Sequence, residues 1–474
     1  MEKYLEYFYE IASIPHGSGN TYRISDYLKR FARENGFYVR QDENDNIVII
    51  REAHPDYTDH PPVILQGHMD MVTVKENTCH KDMKSEGLDL YVEDGKLMAR
   101  GTSLGGDDGI AVAYILDILS GDYKAPRIEA VITVDEEVGM LGASALDTSD
   151  LTAKRMINID QEEEGIFIVS CAGGARVDID IPVNKAVYEG PAYTISVSGL
   201  KGGHSGTDID KRRGNGINIL ASELCKLSEK LDFNLVEING GVADNAIPNE
   251  ATARIMLTGD NANSLFEGMI LALNGMELYF GDEVNFDRAL ISVTKDKWQE
   301  LIALDVPSTK NALKCISSIP YGIQAMSEEN PSMVETSLNP GILISDEDFI
   351  RVSTSVRSSV DSEKKALIFK LISLAREYKA SYDVRGDYPG WAYTSSSELR
   401  NIMVPLYKDM FGKEPSVEGI HAGLECGIFS SKIEGLDCIS IGPDIMNIHS
   451  VNEYLPLDSA KRCFDFLVAV LERL

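Results

Sequence analysis

The run Val63-Ile64-Leu65-Gln66-Gly67-His68-Met69-Asp70 opens as a buried strand and ends in a His and an Asp two positions apart. Alternation along a strand puts both of those side chains on one face at its carboxyl end. In open α/β sheets, ligands collect at that end. On either side of this run, segments 46–51, 97–99, 128–134 and 156–159 are β-rich and bounded by turn residues. Segment 109–119 lies between two of them, is longer than a strand and is rich in Ala, Ile and Leu, so it predicts a crossover helix. Tyr4, Phe8, Ile11 and Ala12 recur at helical spacing, and a second amphipathic helix is expected over 21–34. Strands alternating with helices predict an α/β fold.

From about residue 188 the pattern changes. A strand over 192–197, a helix over 214–231 and strands over 233–238 and 250–258 form a β-α-β-β unit. A similar helix follows over 263–273, and later come a strand over 349–356 and a helix over 362–378. The α/β character returns with a helix over 397–410, a strand over 438–442 and a helix from 457 to the end. The expected organisation is a catalytic domain of mixed sheet flanked by helices, built from 1–185 and 386–474. An α+β lid domain, 186–385, is inserted into it.

The 474 residues carry 45 Lys+Arg against 75 Asp+Glu, a formal charge of −30, with 43% hydrophobic and 25% charged types. That is the composition of a soluble globular protein, long enough for two or three domains. The acidic balance repels phosphate, so nucleic acid and anionic membrane surfaces are poor partners and cations are better ones. Cys79, Cys171, Cys225, Cys315, Cys426, Cys438 and Cys463 are odd in number and contain no Cys-x-x-Cys pair, so reduced, mostly buried thiols are expected. The first residues show no basic region followed by an apolar stretch, and no run approaches the ~18 apolar residues of a membrane span. A cytoplasmic location is expected.

Four further segments share these residue types. Ile132-Thr133-Val134-Asp135-Glu136-Glu137-Val138-Gly139 leaves an apolar strand in three carboxylates, and Met156-Ile157-Asn158-Ile159-Asp160 leaves one in an Asp. Gly101-Thr102-Ser103-Leu104-Gly105-Gly106-Asp107-Asp108-Gly109 places two carboxylates in a Gly-rich turn before a helix, and the strand near 438–442 leads to His449-Ser450. Singly, each suits a helix cap or a solvated loop. Together, five acid or His clusters at strand ends would concentrate negative potential in one cleft, which bound cations offset. Imidazole nitrogens beside carboxylates suit zinc or a similar transition ion, whereas calcium takes oxygen only. No Lys-Ser/Thr follows Gly105-Gly106, so the loop is not a phosphate cradle.

These segments, with Gly202-Gly203-His204-Ser205-Gly206 and His421-Ala422-Gly423-Leu424-Glu425-Cys426-Gly427, closely resemble the aminoacyl-histidine dipeptidases of the co-catalytic dinuclear zinc metallopeptidases, over essentially the whole chain. The resemblance implies two divalent ions per chain, zinc first and cobalt or manganese as alternatives. Asp107 would bridge them, His68 and Asp160 completing one metal and Glu137 and His449 the other. Asp70 would orient His68, and Glu136 would be the general base acting on a metal-activated water. In the inserted domain His204 would contact the oxyanion, with Asn245 and Arg357 as substrate binders. His421 and Glu425 belong to a matching motif without an assigned role. Asp108 stands where family members often carry Asn. A small peptide substrate and a homodimer fit the resemblance.

Two rivals stand beside the dipeptidase reading. One is an N-acyl amino-acid deacylase on the same scaffold, told apart by a free-amine dipeptide and its acylated counterpart. The other is a non-catalytic cation-binding protein, which would have no use for an unligated Glu136 among its ligands.

Overall fold

The computed structural model describes residues 2–474, which divide into two compact units. The first comprises Met1–Cys171, Tyr393–Gly419 and Leu424–Leu474, and the second Ala172–Ala392 with Ile420–Gly423.

The first unit is built on an eight-stranded mixed sheet. Its order is Tyr38–Gln41, Ile47–Arg51, Ile128–Thr133, Val63–His68, Arg155–Asn158, Asp437–Ser440, Ile166–Cys171 and Ser416–Ile420. Four neighbours, from Ile128–Thr133 to Asp437–Ser440, run parallel. The apolar runs of the first three of these are buried throughout, as parallel strands covered on both faces require. The helix Gly106–Ser120 packs on Val63–His68. Helices Lys3–Ala12 and Leu457–Leu471 lie against that helix, where Tyr4, Tyr114 and Phe464 meet ring to ring at 4.9–5.4 Å. The mixed α/β class expected from the alternation is what the chain adopts.

The second unit carries a ten-stranded antiparallel sheet. Helices Gly216–Ser228, Val306–Ser318 and Asp361–Glu377 pack on it over one apolar core including Ile195, Leu220, Ile255, Leu313, Val352 and Leu371. The expected strands and helices of this region are present within a few residues. The helix Val306–Ser318, capped by the Asp305 carboxylate on the Ser308 amide, and the 18-residue strand Asp287–Leu304 were not individually anticipated. In that strand exposed Lys295, Lys297 and Glu300 interrupt the apolar positions, which weakens the period-two pattern.

Candidate active site

The four parallel strands end side by side, and their carboxyl ends deliver the acidic and imidazole side chains to one place. His68 is the last residue of its strand, Glu136 and Glu137 follow Ile128–Thr133, Asp160 follows Arg155–Asn158, and His449 sits in the loop after Asp437–Ser440. Asp107 enters from the first turn of the helix Gly106–Ser120. Among the positions in these loops that take left-handed backbone angles are Asp135 and His449, φ 54° and 57°. Such angles cost a non-glycine residue roughly 1–2 kcal/mol and are characteristic of loops shaped to aim side chains.

Asp107 is the hub. Its Oδ1 lies 3.1 Å from His68 Nε2 and its Oδ2 3.2 Å from His449 Nε2. His68 Nε2 is also 3.5 Å from Asp160 Oδ1, and His449 Nε2 is 2.8 Å from Glu137 Oε1. The two oxygens of one carboxylate thus face two different histidines, each with a carboxylate of its own. That donor set, two imidazoles and three carboxylates, fits a pair of transition ions of the zinc type held through a shared carboxylate. His68, Asp107 and Glu137 offer ligand atoms within 4.8 Å of one another.

The supports of these ligands are equally defined. His68 Nδ1 lies 2.9 Å from the Asp70 carbonyl oxygen and 3.5 Å from the Asp70 carboxylate, so the ring's orientation is fixed more by the backbone of Asp70 than by its side chain. The carboxylate instead accepts from Ser18 Oγ at 2.8 Å and from the Glu136 amide at 3.1 Å. It thereby ties the base-bearing loop to the His68 strand. The Asp108 Oδ2 accepts from the His68 amide at 3.0 Å while its Oδ1 is buried without a partner. Burial, then the neighbouring Asp160, push its carboxyl well above the ordinary range. A Cβ at Gly67 would fall 2.5 Å from Asp108 Oδ2, and only glycine leaves room for that bond.

Two buried glutamates were not assigned roles by sequence reasoning. Glu453 accepts from the amides of Leu104 and Gly106 at 2.8 Å each and of Gly105 at 3.2 Å, holding the loop that presents Asp107. Its signal was faint, a single Glu four residues beyond His449. Glu453→Gln would turn amide hydrogens toward backbone N–H groups. We expect metal affinity to weaken by about 10-fold or more, the usual cost of losing a ligand's support, as measured by competition with a chelator; unchanged affinity would remove Glu453 from this role. Glu425 accepts from Gln66 and, at 2.7 Å, from Thr133, and its Oε1 has no partner. Burial pushes its carboxyl up to about 8.

Without metal, crowded carboxylates keep protons in this cluster. Hydrogen bonds to Asp107 and Glu137 lift His449 to about 10. Burial opposes the charged form of His68, but its bonds to Asp107, Asp160 and Asp70 prevail and hold it well above its ordinary value. Burial, with Asp160 and Glu425 nearby, raises Glu136 to about 9. Both shifts favour the protonated rings in the metal-free site, and ligation requires the neutral ring. Loading with zinc should therefore release protons in weak buffer, and affinity should fall as pH falls. Release of none would show both imidazoles already neutral.

Of the residues expected in the second unit, Asn245 and Arg357 line a cavity of about 300 Å³ together with Ser355, Gly174 and Tyr388 among others, and His204 is not in its lining. His204 Nδ1 faces the amides of Gly206 and Thr207 at 3.3 and 3.1 Å, so it accepts, and the ring proton belongs on Nε2. Burial and the Arg357 charge lower its pKa, which disfavours the charged ring. His421 is buried, 2.7 Å from Ser337 Oγ, and burial, then Arg357, bring it down to about 3. Asn245 gives its carbonyl to the Ser205 amide at 2.7 Å, which couples its turn to the His204 turn.

The chain matches the model of peptidase family M20/M25/M40 over residues 64–473. It is 34% identical to the cytosol non-specific dipeptidase of Escherichia coli (strain K12), over 98% of this chain and 96% of that protein. Its fold superposes on the aminoacylhistidine dipeptidase from Vibrio alginolyticus with a TM-score of 0.88 and 31% identity, covering 100% of this chain and 96% of that one. An aminopeptidase, PepT, from Bacillus cereus shares the fold at a TM-score of 0.57 and 16% identity, over 99% of this chain and 98% of that one.

Proposed function

The chain belongs to peptidase family M20/M25/M40, and on that premise we propose that it hydrolyses dipeptides with a free amino terminus. It does so with two divalent ions per chain, zinc first and cobalt or manganese as alternatives, held by His68, Asp107, Asp160, Glu137 and His449. The observation that carries this reading is the Asp107 carboxylate facing His68 and His449 with its two oxygens, next to a Glu136 that belongs to neither set of converging ligand atoms, His68-Asp107-Glu137 or His68-Asp108-Asp160. Ions held by the proposed ligands would supply Lewis-acid polarisation of the scissile carbonyl and a water that deprotonates more readily. Glu136, not spent as a ligand, takes the water's proton and delivers it to the leaving amine. Asp70 holds both His68 and the Glu136 amide in position. His204 donates its Nε2 proton to the carbonyl oxygen as negative charge develops there. Asn245 and Arg357 bind the substrate, Arg357 by pairing with its terminal carboxylate.

Aminoacyl-histidine peptides are the first candidates, since a relative of nearly full length and 31% identity is named for them. Cytoplasmic residence accords with the E. coli relative's description as cytosolic and with the lack, among the described residues, of any helix long and apolar enough to cross a membrane.

The test is a screen of free-amine dipeptides against their N-acyl counterparts, with zinc, cobalt and manganese in turn. Turnover of the acylated compounds alone would replace the dipeptidase reading with a deacylase. Arg357→Ala should weaken a dipeptide far more than its C-terminal amide, and equal losses for the two would show that Arg357 does not read the carboxylate.

A further inference from the structure

In the second unit three adjacent strands place Arg357, Gly174 and Tyr388 in one row. Gly174 pairs with Arg357 of the strand Phe349–Ser358 on one side and with Tyr388 of the strand Ser381–Tyr388 on the other. Strands spaced about 4.8 Å apart put the two outer residues about 10 Å from each other, too far for side chains to meet over an ordinary residue. The middle position has no side chain. A Cβ there would lie 2.6 Å from the Tyr388 hydroxyl and 2.7 and 2.8 Å from two ring carbons. The phenol therefore lies across the glycine and accepts a hydrogen bond from Arg357 Nη1 at 3.4 Å.

Arg357 is 8% exposed, its Nε has no partner, and no carboxylate of the described residues pairs with it. The other two arginines of the same cavity are already paired, Arg176 with Asp178 and Asp244 and Arg385 with Asp178 and Asp383. A buried, unpaired guanidinium requires an anion. Because the Tyr388 oxygen accepts from Arg357, its own O–H is left to donate, so an N–H and an O–H converge on the cavity. The backbone of Tyr388 is anchored as well. Buried Lys364 donates to its carbonyl oxygen and pairs with Asp361 at 2.9 Å and Asp387 at 2.7 Å.

We propose that Tyr388 is a second reader of the substrate's terminal carboxylate, donating its hydroxyl to the anion that Arg357 pairs with, and that Gly174 is the positioning residue that lets the two meet. This rests on the reading of Arg357 given above but not on which peptide or acyl group lies beyond the carboxylate.

The test is equilibrium binding to the zinc-loaded full chain in a Glu136→Gln background, where turnover is blocked, by calorimetry. The ligands are a dipeptide, its C-terminal amide and an N-acetyl amino acid. Tyr388→Phe keeps the ring over Gly174 and removes only the hydroxyl. It should weaken the dipeptide about tenfold or more, as loss of a hydrogen bond to a charged group does, and the amide less than twofold. Gly174→Ala, which moves the phenol, should reproduce the same discrimination with an unchanged unfolding midpoint.

Equal weakening of dipeptide and amide would assign Tyr388 to packing and overturn the proposal, as would the lack of measurable binding of any of the three. Binding of the N-acetyl amino acid but not the dipeptide, with the Tyr388 effect intact, would support this proposal while overturning the dipeptidase reading.

Discussion

Glu136→Gln is expected to lower turnover by about 100- to 10,000-fold, the range supplied by a positioned general base, while the protein still binds two ions. The substitution keeps the shape of the side chain and the backbone amide bond to Asp70 and removes only the capacity to take a proton. Glu137→Gln, one residue along, changes a different function. Glu137 lies 2.8 Å from His449 Nε2 and shares a ligand grouping with His68 and Asp107, so its loss should appear first as loss of metal. Steady-state kinetics and elemental analysis on the two variants read the difference. Near-wild-type turnover in Glu136→Gln would show that another group moves the proton.

The reason two neighbouring glutamates differ lies in the sheet, and this part was legible in the sequence. Buried apolar runs ending in His68, Asp160 and the 135–137 carboxylates mark strand ends. A parallel arrangement of those strands makes the ends neighbours. The helix beginning near Asp107 could be read from the apolar stretch behind it. What was not legible comes from contacts at long sequence separation. Glu453 cradles three amides some 350 positions earlier in the chain, and nothing local distinguishes it from any loop glutamate. Glu425 reaches Gln66 and Thr133 for the same reason. The row Arg357–Gly174–Tyr388 depends on the register of three strands, and a glycine that serves by having no side chain leaves no local pattern. Sequence periodicity reports which face of an element is buried, whereas register reports what meets across it.

Asp107→Ala is expected to abolish binding of both ions, and with it activity, without unfolding the chain. Among the described carboxylates Asp107 alone approaches both His68 and His449 within 3.2 Å, so its removal takes an oxygen from each half of the site at once. The metal-free protein should tolerate the loss. Burial first, and then the charges of Asp107 and Glu137, raise Asp160 to about 6 against the pull of His68, so deleting the Asp107 carboxylate removes one of the repulsions on Asp160 even as two imidazoles lose a partner. The outcome is read by thermal unfolding with and without zinc. An ion that binds only the folded state adds about 4 kcal/mol at a thousand times its dissociation constant. Wild type and Glu136→Gln should therefore gain several degrees from zinc, and Asp107→Ala none. A wild-type-sized zinc shift in Asp107→Ala would mean that the two ions are held independently of this carboxylate, and the shared-ligand arrangement would have to be given up.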